Sequence, residues 1–220
     1  MKKILIILYL ISIHIHLMAL DTNIVNLFPL NIGNRWTWYR EAIYSPGPGM
    51  ESMKIWGTRQ FNNKLYYGCF YHVYTYYGNQ QYISTLYYRV DSISGNIYKY
   101  DSLSSTECLI DSLNSSIGDS AYSTCSNQWF KCYTGTYNIF GQNMQTKDFN
   151  WSNYFEAGSG KKYAYNIGKV YALSGGVMNW TYWYLRGCVI NGILYGDTNM
   201  YLGIIKISSE VPNSFSLYQN

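Results

Sequence analysis

The chain has 220 residues, 48% of them apolar, and carries 26 tyrosines with a formal net charge of +4. Only 13% of the residues are charged, and the bases are scattered, Lys161-Lys162 being the one adjacent pair beyond Lys2-Lys3. So weak and dispersed a charge argues against nucleic acid or an acidic surface as partner.

The chain opens Met-Lys-Lys, then runs almost wholly apolar from Ile4 to Leu17, with a small residue, Ala19, at a plausible cleavage point. A basic start, a short apolar middle and a small-residue exit predict a secretory signal peptide over residues 1–19. The run falls short of the ~20 residues that a spanning helix needs. No other long apolar run follows, so no membrane span is expected after cleavage. No Cys lies near the cleavage point to take a lipid. About 200 residues remain, enough for one sizeable core. Removal of Lys2 and Lys3 leaves 14 basic and 12 acidic residues, a net charge of +2.

Residues 28–34 form a lead-in to Arg35–Arg40, which alternates large apolar and polar groups as a strand does. A Pro- and Gly-rich loop covers Ser45 to Gly49. Met53–Phe61 and Lys64–Tyr77 flank Asn62-Asn63, a tight-turn dipeptide. The second run is aromatic on both faces, with Tyr67, Tyr71 and Tyr77 on one and Tyr66, Phe70, Tyr74 and Tyr76 on the other. Gly78-Asn79 then turns the chain toward a central hairpin, Leu86–Asp101.

The hairpin turn centres on Ser94-Gly95 or on Gly95-Asn96, and both registers give the same faces. Leu86, Tyr88, Val90 and Ile97 make the core face. Tyr87, Arg89, Asp91, Tyr98 and Tyr100 make a face expected to meet solvent, where Arg89 can lie across a Tyr ring for ~0.5–1 kcal/mol. Tyr87, Arg89, Tyr98 and Tyr100 are therefore the candidate binding residues. Asp91 and its neighbours lack the alternating carboxylates and distal Glu of a calcium loop.

Glu107–Leu113 reads as a short strand, and the Ser-rich residues 114–126 as a long loop. Phe130–Phe140 and Met144–Trp151 pair around Gly141-Gln142-Asn143. Phe155–Lys162, with Gly158 and Gly160, reads as a flexible turn. Gly168–Leu173 and Val177–Leu185 flank Gly175-Gly176. Asn191-Gly192 is the strongest hairpin signal in the chain. Repeated strands with short turns and no helical period predict an all-β fold. It is a single-domain antiparallel meander over residues 21–207, its curved sheet making a partial barrel or a sandwich.

Three phrases carry a family resemblance. Phe28-Pro-Leu-Asn-Ile-Gly-Asn-Arg-Trp36-Thr-Trp-Tyr39 resembles the opening of uncharacterised secreted β-rich bacterial proteins. Leu185-Arg-Gly-Cys-Val-Ile-Asn-Gly-Ile-Leu-Tyr-Gly-Asp-Thr198 resembles their closing phrase, and Tyr88-Arg-Val-Asp91 a hairpin within them. The resemblance implies export to the envelope or outside and transfers no catalytic residue. Ser208–Asn220 resembles the linker and first strand of a type IX secretion C-terminal sorting domain. In that family the phrase continues through a Tyr-Pro-Asn-Pro-Phe-Asn-Pro-like run, whereas this sequence stops at Asn220.

Five cysteines, Cys69, Cys108, Cys125, Cys132 and Cys188, would meet oxidising conditions after export. At least one stays unpaired. Cys125 with Cys132 is the closest pair and Cys125 with Cys188 its rival, while buried free thiols packed as small apolar groups stand beside both. No Cys-x-x-Cys spacing suggests zinc or thiol redox chemistry.

Catalytic constellations are scarce. His14 and His16 lie in the leader, which leaves His72 for any Ser-His-Asp or Cys-His site and excludes a multi-His metal site. There is no Gly-x-Ser-x-Gly elbow, no His-Glu-x-x-His pair and no phosphate loop before a helix. No metal or other cofactor is expected. Paired carboxylates could hydrolyse glycosides, with Asp91, Asp101, Asp111, Asp119, Asp148 and Asp197 as candidates, although Asp beside Ser, Asn or Gly usually serves turns. The expected function is an exported, non-enzymatic binding module at the surface or outside the cell, its partner a glycan or another surface protein. The alternatives are a carrier with an apolar cavity in the curved sheet and a secreted glycosidase.

Overall fold

The computed structural model describes residues 22–42, 47–75, 81–153, 157–176 and 179–199. The leader over residues 1–19, the Gly78-Asn79 turn with Tyr76 and Tyr77, and the tail over 208–220 lie outside the described residues. One helical turn, α1 (Thr22–Val25), precedes β1 (Arg35–Ala42), β2 (Gly49–Phe61), β3 (Lys64–Thr75), β4 (Gln81–Val90), β5 (Asn96–Asp101) and β6 (Thr106–Ser112). Then follow β7 (Ser120–Ser123), β8 (Gln128–Ile139), β9 (Gln142–Asn153), β10 (Ala157–Ala164), β11 (Gly168–Gly176), β12 (Asn179–Ile190) and β13 (Ile193–Gly196).

All the strands belong to one antiparallel sheet. Each strand pairs with its sequence neighbours from β1 to β6 and from β7 to β12, and β1 pairs with β12. This is an up-and-down barrel, nearly closed, not a sandwich. Its seam lies between β6 and β7. Cys125 N–H donates to Leu109 O at 3.1 Å, Leu109 N–H to Thr124 Oγ1 at 2.7 Å and Ser123 Oγ to Leu109 O at 2.9 Å. A Cys108–Cys125 disulfide ties the same two edges. Neither expected bridge forms, because Cys132 and Cys188 sit buried in the core, as Cys69 does. Burial pushes the Cys69 and Cys188 thiols up to about 12.

Alternation decides what fills the barrel. Trp36 and Trp38 of β1 point inward, opposite Met53 and Glu51 of β2. The residues before β1 close one end. Phe28 lies 6.2 Å from the Trp36 ring, 6.0 Å from Tyr88 and 6.1 Å from Tyr163, so three distant strands converge on it. Asn34 fixes this lead-in: its Nδ2 donates to Pro29 O at 2.9 Å and its Oδ1 accepts Asn191 N–H at 2.7 Å. Gly33 takes φ +94°, a left-handed conformation that side chains disfavour, and donates to Ile55 O at 2.9 Å. The Phe-Pro-Leu-x-x-Gly-Asn-x-Trp phrase is thus a plug with its own fastenings.

Several expected turns are observed, and others move. Asn62-Asn63 (φ 49° and 60°) and Asn191-Gly192 (φ 51° and 82°) are two-residue hairpin turns with both residues left-handed. The β8–β9 turn is Phe140-Gly141, which places the glycine second. The central hairpin turns through a longer loop. Asp91 N–H bonds Asn96 O at 2.8 Å, and Asp91 Oδ1 accepts the N–H groups of Ile93 and Ser94 at 3.1 and 2.9 Å. The register shifts by two residues rather than one, so the expected faces survive.

Gly158 and Gly160 do not make a turn. They lie within β10, where a Cβ on Gly158 would come 2.9 Å from the Trp180 ring and one on Gly160 2.6 Å from Asn150 Oδ1. Neighbouring side chains occupy the space that these glycines leave. The Ser-rich stretch 114–126 contains β7, which forms by pairing with β8 rather than by its own propensity.

Candidate functional site

The outer face of the central hairpin is not a free surface. Tyr87 is 7% exposed and Tyr100 5%. Both pack on Phe61, whose ring stacks on Tyr100 at 4.2 Å and meets Tyr87 edge-on at 4.9 Å. The expectation of solvent fails here because β2 and β3 run past the hairpin and bring Phe61 and Tyr66 over it. Arg89 lies 4.0 Å from the Tyr98 ring, as expected, but Glu107 holds its Nε at 2.5 Å and Asp91 its Nη1 at 3.2 Å. Of the four candidate residues, Tyr98 and Arg89 are half-buried and Tyr87 and Tyr100 are in a small aromatic core.

The six candidate carboxylates divide by role. Asp91, Asp101, Asp119 and Asp197 cap turns, accepting the N–H groups of Ser94, Leu103, Ser116 and Asn199 at 2.8–2.9 Å. Asp111 and Asp148 are buried on strands and paired with lysines. Consecutive residues of a strand face opposite ways. Lys161 therefore turns inward, 2.9 Å from both Asp111 oxygens, while Lys162 turns outward to Asp148. Tyr163 OH also donates to Asp111, at 2.5 Å.

Sequence reasoning missed a third buried acid, Glu51, which accepts from Tyr71 OH and lies 3.5 Å from Arg40 Nη1. Lys169 stands 4.8 Å over the Trp38 ring, and burial pushes its ammonium pKa down. Glu51 and Asp111 each have a cation and a tyrosine donor, and Asp148 has Lys162, its buried Oδ1 having no hydrogen-bond partner among the described residues; these are the arrangements of structural ion pairs. His72 pairs with Ile83 across β3 and β4, and its buried Nε2 has no hydrogen-bond partner among the described residues. Among the described residues, no group of three or more His, Cys, Asp or Glu could hold a metal ion. No helix among them is long and apolar enough to cross a membrane.

A groove of about 760 Å³ opens elsewhere, between residues 114–117, β8, β9 and Tyr165. Its position follows from strand lengths. The β7 pairing with β8 stops at Lys131, and the β10 pairing with β9 stops at Thr146. Beyond those points β8 and β9 continue as a two-stranded ribbon. Thr134 pairs with Lys147 and Thr136 with Gln145, so these four side chains share one ribbon face.

The loop after β6 forms the opposite wall and is firmly tied. Gly118 N–H donates to Cys132 O and Cys132 N–H to Asp119 O, both at 2.8 Å. Asp119 Oδ2 accepts Ser116 N–H at 2.8 Å, and Lys147 Nζ donates to Leu113 O at 2.5 Å. The groove carries hydroxyls, two amides, the Tyr165 ring, the Lys147 ammonium and one aliphatic side chain, Ile117. It holds no carboxylate, so it has no acid pair to cleave a glycosidic bond. What it can do is bind by hydrogen bonds. The Ser-rich composition of 114–126 was the available signal, but the opposing ribbon face was not visible without the register.

No family model matches the chain, and no curated protein matches it. Two solved structures are similar in shape at low identity. One, from Bacteroides fragilis, is described as exported and as having a YmcC-like fold; it is 12% identical, with a TM-score of 0.47 over 72% of this chain and 96% of that one. The other, from Parabacteroides distasonis, is described as a lipoprotein; it is 11% identical, with a TM-score of 0.44 over 73% of this chain and 96% of that one.

Proposed function

We propose that this chain is an exported, non-enzymatic binding module that offers its groove to a polar ligand at the cell surface or outside the cell. Export rests on the basic-then-apolar leader over residues 1–19 and on the sorting-domain-like tail. One observation carries the binding reading: a preformed groove lined mostly by uncharged hydrogen-bonding groups, with Lys147 its one charged side chain, on a wall held by backbone bonds. A ligand meeting such a groove orders little of the protein, which lowers the cost of binding. The buried acids do not favour hydrolysis, because each is matched by Lys or Arg. An apolar carrier finds less support, since Trp36, Tyr88 and Tyr163 all pack on Phe28 inside the barrel.

A thermal-shift screen of the purified chain against glycans, lipids and divalent ions tests the reading. A ligand at ~100 times its dissociation constant adds ~2.7 kcal/mol to the folded state, several degrees for a domain of this size. A reproducible rise with one class is expected. No rise with any class would overturn the binding module.

A further inference from the structure

We infer that the ligand of this groove is a glycan, a short oligosaccharide or a segment of a longer chain. The inference rests on the binding-module reading and adds the ligand's chemistry.

The lining selects among ligand classes. Every sugar hydroxyl is at once donor and acceptor, and so are the Ser and Thr hydroxyls and the Asn and Gln amides that dominate the groove. A lipid would need apolar walls, and Ile117 is the single aliphatic side chain in the lining. A phosphate or nucleotide would need converging cations, whereas Lys147 is the one basic residue lining the groove and already donates to Leu113 O at 2.5 Å. A divalent cation would need carboxylates, and the lining has none.

Geometry adds to composition. Gln145 and Thr136 stand side by side on one ribbon face, and Asn114 stands on the opposite wall. Both walls of the groove therefore carry an amide, Asn114 on one and Gln145 on the other. Tyr165, 38% exposed at the β10–β11 turn, offers a flat apolar surface for the C–H face of a pyranose. The volume of about 760 Å³ falls within the roughly 300–1,000 Å³ of small-molecule sites, more than a single ion would use.

The test is titration of the isotope-labelled chain with defined oligosaccharides, followed by amide chemical shifts and by calorimetry. The probes are β-1,4-linked glucose, xylose and N-acetylglucosamine oligomers, and α-linked glucose and mannose oligomers. At least one probe is expected to move the amides of 114–117 and 145–147. Gln145→Ala and Tyr165→Ala are each expected to weaken that probe at least tenfold. Both side chains are exposed, so the variants should melt as the parent does. Leu103→Ala, at a residue 97% exposed in the β5–β6 turn, should bind as the parent does. Glycan binding that moves amides elsewhere would overturn the assignment to this groove and leave the binding module standing. A stabilising lipid, ion or peptide with silence from every glycan would overturn the ligand class alone. Silence from all classes would overturn the binding module and this inference together.

Discussion

Glu107 sits where three strands meet. It accepts from Lys64 Nζ at 2.7 Å, from Tyr66 OH at 2.6 Å and from Arg89 Nε at 2.5 Å. Partial burial pulls its pKa up, but these donors, Arg89 foremost, outweigh burial and hold it at about 2 against an ordinary 4.5. The folded pKa lies below the unfolded one, so the stabilisation is complete above about 4.5 and drains away as pH falls toward 2. Glu107→Gln is expected to lose about 2 kcal/mol at pH 7. Its deficit should shrink as pH drops through that window, which denaturant titrations at pH 7, 4 and 2.5 would follow. Asp111→Ala should lose more, roughly 3–5 kcal/mol, because Lys161 would be left with no partner for its charge. Asp101→Ala, at an exposed turn, should change little by the same assay. In sequence these two acids look alike, since each is followed by Ser. What separates them is pairing across 50 positions, Lys161 with Asp111, which only the sheet register supplies.

At the scale of the element, legibility follows locality. Asn62-Asn63 and Asn191-Gly192 state their turns in two residues, because a left-handed pair needs Asn or Gly and little else. The glycines of β10 state nothing locally; Trp180 and Asn150, on other strands, decide that a side chain there would collide. Gly158→Val is expected to cost roughly 1–3 kcal/mol through that overlap. Gly57→Ala, where nothing lies within 4 Å of an added Cβ, should be neutral or slightly stabilising. Urea midpoints of the two variants would show the contrast. The plug is the intermediate case. Its phrase stood out in the sequence as a label, yet its role became clear only when Phe28 met Trp36, Tyr88 and Tyr163. Phe28→Ala should cost about 3–5 kcal/mol, as for other buried aromatics.

Across the whole molecule, the antiparallel meander was readable, while two of its strands, β7 and β10, and its closure were not. The all-β meander follows from turns spaced along the chain. The pairing of β1 with β12 and the meeting of β6 with β7 depend on how the sheet curls, and no short window records that. The disulfide follows from closure, since Cys108 and Cys125 are brought together by the seam rather than by their spacing. Replacing both by Ser is expected to cost about 3 kcal/mol for a loop of this length, measured as the difference in unfolding free energy. The groove is a consequence of the same geometry, for it opens where β8 and β9 outrun their neighbours. The most direct measurement is the melting temperature of the parent and of Thr136→Trp, each with and without the oligosaccharide mixture. Thr136 is exposed within the groove, so an indole there should block it and spare the fold. The expected result is a rise of several degrees for the parent, none for the variant, and equal melting of the two without sugar. A parent that does not respond, or a variant that responds as fully as the parent, would contradict the assignment of this groove as the ligand site.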